Sequence, residues 1–187
     1  VYTANIAVKI QIFFNFALKN IVFMIGTAYI LLGSNLGDRE GVLRRAIEMM
    51  ECRCCRVVAS SHLYESEPWG FESDDVFLNQ VVCVKTTLSP HDLLKELLSI
   101  EITLGRDREH HYETYVSRPI DLDILYYDDL IIEDSALVLP HPRLHLRRFT
   151  LEPLCDIAPE FIHPIIRLSN EDLLKRCDDN LIVKRCV

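Results

Sequence analysis

The sequence contains no apolar run long and pure enough to cross a membrane. The stretch from Ile6 to Phe23 comes nearest, but Lys9, Gln11, Asn15, Lys19 and Asn20 interrupt it, and a spanning helix needs about 20 mostly apolar residues. No small-residue cleavage site of a secretory signal is evident before Met24. An excess of positive charge is missing as well. The 20 Lys and Arg stand against 28 Asp and Glu, a formal net charge of −8. The chain as a whole therefore has no attraction for nucleic acid or an acidic lipid surface, and any phosphate ligand must be held by local cations. Paired cysteine clusters are also lacking. The seven cysteines are odd in number, and Cys52, Cys54 and Cys55 have no second cluster to complete a four-ligand zinc site. Reduced thiols in a cytoplasmic protein are the simplest expectation.

What is present is an ordinary globular balance, with 49% hydrophobic and 26% charged residues in 187 positions. That length supports one domain with a core that needs neither disulfides nor a structural metal. The first coherent pattern begins just after Met24. Residues 1–23 are therefore expected to be a non-essential extension, 24–178 a single domain and 179–187 a C-terminal tail. No internal repeat, low-complexity segment or linker divides the chain.

Ala28 to Leu32 is a short apolar run closed by Gly33-Ser34-Asn35, which reads as a buried strand ending in a turn. Val42, Leu43, Ala46, Ile47 and Met50 then recur at helical spacing. Arg56 to Ser66 and Val76 to Thr87 are rich in β-branched and aromatic residues and predict two strands. Ser89 is a fitting N-cap and Pro90 a fitting first residue for a second helix, whose apolar stripe reads as Leu93, Leu94, Leu97, Leu98 and Ile102, with Gly105 as its stop. Pro119 to Tyr127 alternates Ile120, Leu122, Ile124 and Tyr126 against Asp121, Asp123 and Leu125, the period of a strand with two unlike faces. A short strand near Leu130 to Ile132, a helix around Arg147 to Asp156 and a last helix from Ser169 complete the order. The expected class is α+β, a ferredoxin-like βαββαβ core with extra C-terminal strands and helices. Helices are expected to cover one face of its sheet and leave the other for a site.

Two carboxylates inside an otherwise apolar strand carry the most chemical information. Asp121 and Asp123 lie at i and i+2, so both project from one side and can reach the same cations. Hard oxygen ligands suit Mg²⁺, which takes its remaining ligands from water and substrate phosphates. A lone D-x-D is more often a solvated sheet face, but Arg106, Arg108 and Arg118 flank this one with planar donors suited to phosphate. The polar segment from Gly105 to Ser117 is a candidate lid. His141 and His145 have a spacing found in some zinc sites, although Pro142 disfavours the helix such a pair needs.

In their order and spacing, several segments resemble the 6-hydroxymethyl-7,8-dihydropterin pyrophosphokinase family of folate biosynthesis. They are Ala28-Tyr29-Ile30-Leu31-Leu32-Gly33-Ser34-Asn35-Leu36-Gly37, Tyr64-Glu65-Ser66-Glu67-Pro68-Trp69-Gly70, Phe77-Leu78-Asn79, Glu101 to Arg106, Arg118 to Leu125, and Leu139-Pro140-His141-Pro142. The resemblance implies ATP as co-substrate, two Mg²⁺ ions on Asp121 and Asp123, and catalytic parts for Arg106, Arg118 and Asp123. It implies a pterin pocket of Ser66, Glu67, Trp69, Phe77, Asn79 and Phe149. It also places Leu94, Glu101, Arg108, Tyr115, Ile124, His141 and Arg147 near ATP, and implies a monomer. One departure is Tyr115-Val116-Ser117-Arg118, where the family commonly has Trp-Gly-Pro-Arg. Read from the residues alone, a metal-dependent phosphohydrolase or nuclease and a non-catalytic ferredoxin-like binding module stay open beside the transferase.

Overall fold

The computed structural model describes residues 25–70, 75–106 and 118–186. The expected extension at 1–23 and most of the candidate lid, including Arg108 and Tyr115, lie outside the described residues. The core elements are β1 (Gly26–Ser34), α1 (Arg39–Arg53), β2 (Arg56–Ser60), β3 (Tyr64–Ser66), β4 (Phe77–Thr86), α2 (Pro90–Thr103) and β5 (Asp121–Tyr127). After them come β6 (Ile132–Glu133), β7 (Val138–Leu139), a 3₁₀ turn at Leu144–Leu146, α3 (Arg148–Ile157), α4 (Asn170–Lys175) and β8 (Val183–Arg185). The main sheet runs β5-β1-β4-β3-β8, with β2 also paired to β4, and every pairing is antiparallel. This is the ferredoxin-like arrangement, extended at one edge. β6 and β7 form a separate hairpin.

Local chemistry accounts for the helix ends. Asp38 caps α1 by accepting from the Gly41 amide at 3.0 Å, and Ser89 caps α2 by accepting from Asp92 at 3.2 Å. Gly105 follows α2 at φ +95, a conformation that costs a residue without a Cβ little. In α2, Leu93, Leu97 and Ile100 are wholly buried while Ile102 is 59% exposed. The expected stripe is thus corrected at its end. Ile102 lies nine residues from Leu93, which at about 100° per residue puts it on the opposite side of the helix.

The segment from Arg56 to Ser66, expected as one strand, is two. At the break, Ser61 pairs with Val81 through its backbone amide at 2.9 Å and through Oγ, which accepts from the Val81 amide at 3.0 Å. Tyr126 was expected on the same side as Ile124. A bulge between the Tyr29↔Tyr126 and Ile30↔Ile124 pairs leaves Leu125 as the extra residue. Ile120, Leu122 and Ile124 consequently pack under α1 and α2, while Leu125 and Tyr126 both join the core on the other face. The freed Leu125 carbonyl accepts from the His141 amide at 2.9 Å.

The second face of the sheet is only partly open, a further correction. Leu151 and Leu154 of α3 and Leu173 of α4 pack there against Leu31, Val81, Leu125 and Tyr126. Residues 183–185, within the expected tail, pair with β3 and so widen the sheet.

Candidate functional site

Beside α3, the uncovered end of that face forms the floor of a cavity of about 550 Å³. The sheet register sets the floor: Gly33 lies between Asp121 on β5 and Asn79 on β4. In the next register row on the same face, Leu31 lies between Asp123 and Val81. Gly33 sits inside β1 rather than in the turn its sequence context suggested, and its missing side chain keeps the floor low. A Cβ there would stand 3.4 Å from Asn79 Oδ1 and 4.0 Å from a Phe77 ring carbon. Asn79 is buried and its amide nitrogen donates to Ser66 Oγ at 2.9 Å. That bond leaves Asn79 Oδ1 and the second amide hydrogen for a ligand.

Asp121 and Asp123 both line this cavity from the same side of β5. Asp121 is held by Arg106 and, at 3.1 Å, by Arg118. Burial raises the Asp123 carboxyl to about 7, and the charge of Asp121 adds to the rise against the opposing pull of Arg147 and Arg118. A buried carboxylate still pushed up against two arginines is incompletely compensated, and a divalent cation would supply the rest. Among the described residues no group of three or more His, Cys, Asp or Glu side chains could cage a metal. Two carboxylates with no further protein ligand fit Mg²⁺, which completes its shell with phosphate and water.

The other walls come from separate elements. Leu94 and Leu98 of α2 form one side, and Trp69, Phe77 and Phe149 contribute aromatic surface. The Arg147 guanidinium lies 4.6 Å from the Trp69 ring centroid and 5.6 Å from that of Phe149, contacts that hold its charge in place. Burial, with help from Arg147, lowers His141 to about 4. Its Nδ1 accepts from the Arg143 amide at 3.2 Å, so the neutral ring carries its proton on Nε2.

Of the residues singled out from the sequence, Ser66, Glu67, Trp69, Phe77, Asn79, Leu94, Arg106, Arg118, Asp121, Asp123, His141, Arg147 and Phe149 line this one cavity. Two do not. Glu101 is wholly buried, accepting from the Leu122 amide and from Arg106, both at 2.7 Å. It reaches the cavity only through the arginine it orients. Ile124 is 4% exposed and faces the core under α1 and α2, so contact with a nucleotide is open to its main chain alone. Leu31, Gly33, Leu98, Leu122, Ala136, Pro142 and Arg143 also line the cavity and were not assigned to a site from the sequence. Gly33 and Leu31 were legible in principle, because alternation along β1 puts them on the face that carries the acids once strand order is known.

Asn35 anchors the segment leading into β5. Its amide donates to the Arg118 carbonyl at 3.3 Å and its Oδ1 accepts from the Arg118 amide at 2.8 Å. Arg118 is thereby fixed at its backbone as well as through Asp121.

Fold and cavity together define a ferredoxin-like protein whose sheet presents a carboxylate pair among arginines. The family model for 7,8-dihydro-6-hydroxymethylpterin-pyrophosphokinase matches residues 29–159, and the chain belongs to that family. It is 44% identical over 137 residues to a 2-amino-4-hydroxy-6-hydroxymethyldihydropteridine pyrophosphokinase of Porphyromonas gingivalis, covering 73% of this chain and 92% of the relative. A Bacillus subtilis protein of the same name is 42% identical over 134 residues, covering 71% and 78%. Among solved structures, Plasmodium falciparum HPPK-DHPS with pteroate superposes with a TM-score of 0.68 at 16% identity. That match covers 81% of this chain and spans only 44% of the other, and it speaks for the fold alone.

Proposed function

We propose that this cavity transfers the terminal diphosphate of ATP to the hydroxyl of 6-hydroxymethyl-7,8-dihydropterin, giving AMP and the pterin diphosphate in folate biosynthesis. The observation that carries the reading is the pair Asp121 and Asp123 projecting together into a cavity that also holds Arg106, Arg118 and Arg147, in a chain of this family. A nuclease or a non-catalytic module explains the acids but not the aromatic and amide surface beside them.

Two Mg²⁺ ions, with Asp121 and Asp123 as their protein ligands, would neutralise the phosphate oxygens during transfer. With an ion bound, Asp121 would share its charge between the ion and the two arginines, leaving part of the positive charge of Arg106 and Arg118 for the phosphates. The pterin is assigned to the side lined by Ser66, Glu67, Trp69, Phe77, Asn79 and Phe149. There the rings offer stacking surface and Asn79 offers both a donor and an acceptor to the heterocycle edge. The nucleotide is assigned to the side of Leu94, His141 and Arg147, where neutral His141 donates from Nε2 and Arg147 supplies fixed positive charge. Glu101 holds Arg106 in register with Asp121, and Asn35 holds Arg118. Attack by the pterin hydroxyl on the β-phosphorus then depends mainly on alignment and charge, with each well-placed electrostatic contact worth on the order of a few kcal/mol.

The protein is proposed to act as a monomer in the cytoplasm, a setting consistent with seven unpaired cysteine thiols. No helix among the described residues is long and apolar enough to cross a membrane. The test is incubation with ATP, Mg²⁺ and the hydroxymethyl-dihydropterin. AMP should form only when the pterin is present, and Asp121→Ala or Asp123→Ala should cut its formation by roughly 10³-fold or more with the fold intact. ATP breakdown that ignores the pterin would overturn the assignment.

A further inference from the structure

Cys54 and Cys55 form the turn where α1 ends, away from the catalytic cavity. The Cys54 and Cys55 amides both donate to the Met50 carbonyl, at 2.9 and 3.1 Å, and the two Sγ atoms converge on the same oxygen at 3.4 and 3.6 Å. A carbonyl has two lone pairs, and the stronger amide donors already occupy them. The thiol protons therefore gain little by pointing there and are available for displacement. Both residues are partly exposed and line a groove of about 510 Å³ whose rim includes Arg56 and Lys85. None of the residues lining this groove lines the catalytic cavity.

We infer that Cys54 and Cys55 form a chelating dithiol for a soft, trivalent metalloid centre of the arsenic(III) class. Two adjacent sulfurs gathered on one side of a turn suit a bent two-sulfur chelate, and no third His, Cys, Asp or Glu ligand among the described residues completes a cage for a harder metal. A hydrogen bond from Cys55 lowers the Cys54 pKa, and Arg53 assists it against burial and the charge of Glu96. The same bond and burial raise Cys55. One sulfur is thus the readier nucleophile and the other its proton donor. With a monosubstituted arsenoxide, two As–S bonds form, two S–H bonds and the As–O double bond break, and one water leaves. Arsenic stays trivalent, so no oxidant is required.

The wild-type chain suffices for the test. It is treated with one equivalent of phenylarsine oxide, washed with excess 2-mercaptoethanol, and digested with trypsin. Cleavage after Arg53 and Arg56 releases Cys54-Cys55-Arg56, which holds both thiols and no other cysteine. The inference expects one adduct per chain, found on that peptide, resistant to the monothiol and removed by dithiothreitol. Cys54→Ser and Cys55→Ser should each lose the resistant adduct, whereas Cys52→Ser should keep it. An adduct stripped by the monothiol, or one mapped to Cys52 or any other peptide, overturns the inference.

Discussion

The second face of the sheet is divided between two regions built from the same strands. At one end Val81, Leu125 and Tyr126 are sealed under Leu151, Leu154 and Leu173. At the other, the same pleat presents Asp121, Gly33, Asn79 and Ser66 to an open cavity. On β4, Val81 and Asn79 differ by one strand period, yet the first is core and the second a ligand-facing amide. Strand geometry fixes which face a side chain takes, while the reach of α3 and α4 decides whether that position becomes core or site. Stability should therefore be concentrated in one end and activity in the other.

The largest effect on that division is expected at the sealed end. Leu151→Ala should cost about 2–5 kcal/mol by denaturant unfolding while leaving turnover per folded molecule near normal below the transition. A collapse of kcat with unchanged stability would erase the distinction between the two ends.

The open end should show the reverse bias, because Asp123 is held near pKa 7 by burial and by Asp121. Its folded pKa is above the unfolded value of about 3.9, so the folded state binds more protons between the two. Without metal, stability should fall as pH rises from about 4 to about 7. Asp123→Asn removes that loss and should make the metal-free protein more stable at pH 8 by on the order of 1–3 kcal/mol. Equal stability of the two proteins at pH 8 would deny that Asp123 is a poorly compensated charge.

The smallest effect is expected at Gly33. Gly33→Val suits a strand, and its Cβ would meet only ordinary contacts in the protein itself, 3.4 Å from Asn79 Oδ1. Its methyl groups would occupy the floor between Asp121 and Asn79. KM for the pterin should rise about tenfold, roughly 1.4 kcal/mol, with the thermal midpoint little changed. An unaltered KM would place the pterin elsewhere in the cavity.

Much of this was legible from the sequence because local rules govern it. The carboxylates alternate with Leu122 and Ile124, and Ser89, Pro90 and Gly105 mark the ends of α2. What was not legible depends on partners distant in sequence. The bulge at Leu125 exists only relative to Tyr29 and Ile30, and it carried Tyr126 to the other face. Ile102 reads as apolar and helical, yet Ile100 takes the core position. Glu101 belongs to a residue type that ordinarily seeks water, and only the structure reveals that the Leu122 amide and Arg106 satisfy it in complete burial. The pairing of β8 with β3 is likewise invisible in so short a C-terminal segment, because its partner strand lies far away along the chain.

The central claim is that Asp121 and Asp123 jointly hold divalent ions with bound nucleotide. Counting Mn²⁺ bound per chain by electron paramagnetic resonance, in the presence of a non-hydrolysable ATP analogue and pterin, tests it most directly. The account predicts two ions for the native chain and fewer for Asp121→Asn and for Asp123→Asn. Two ions of undiminished affinity in both variants would contradict it.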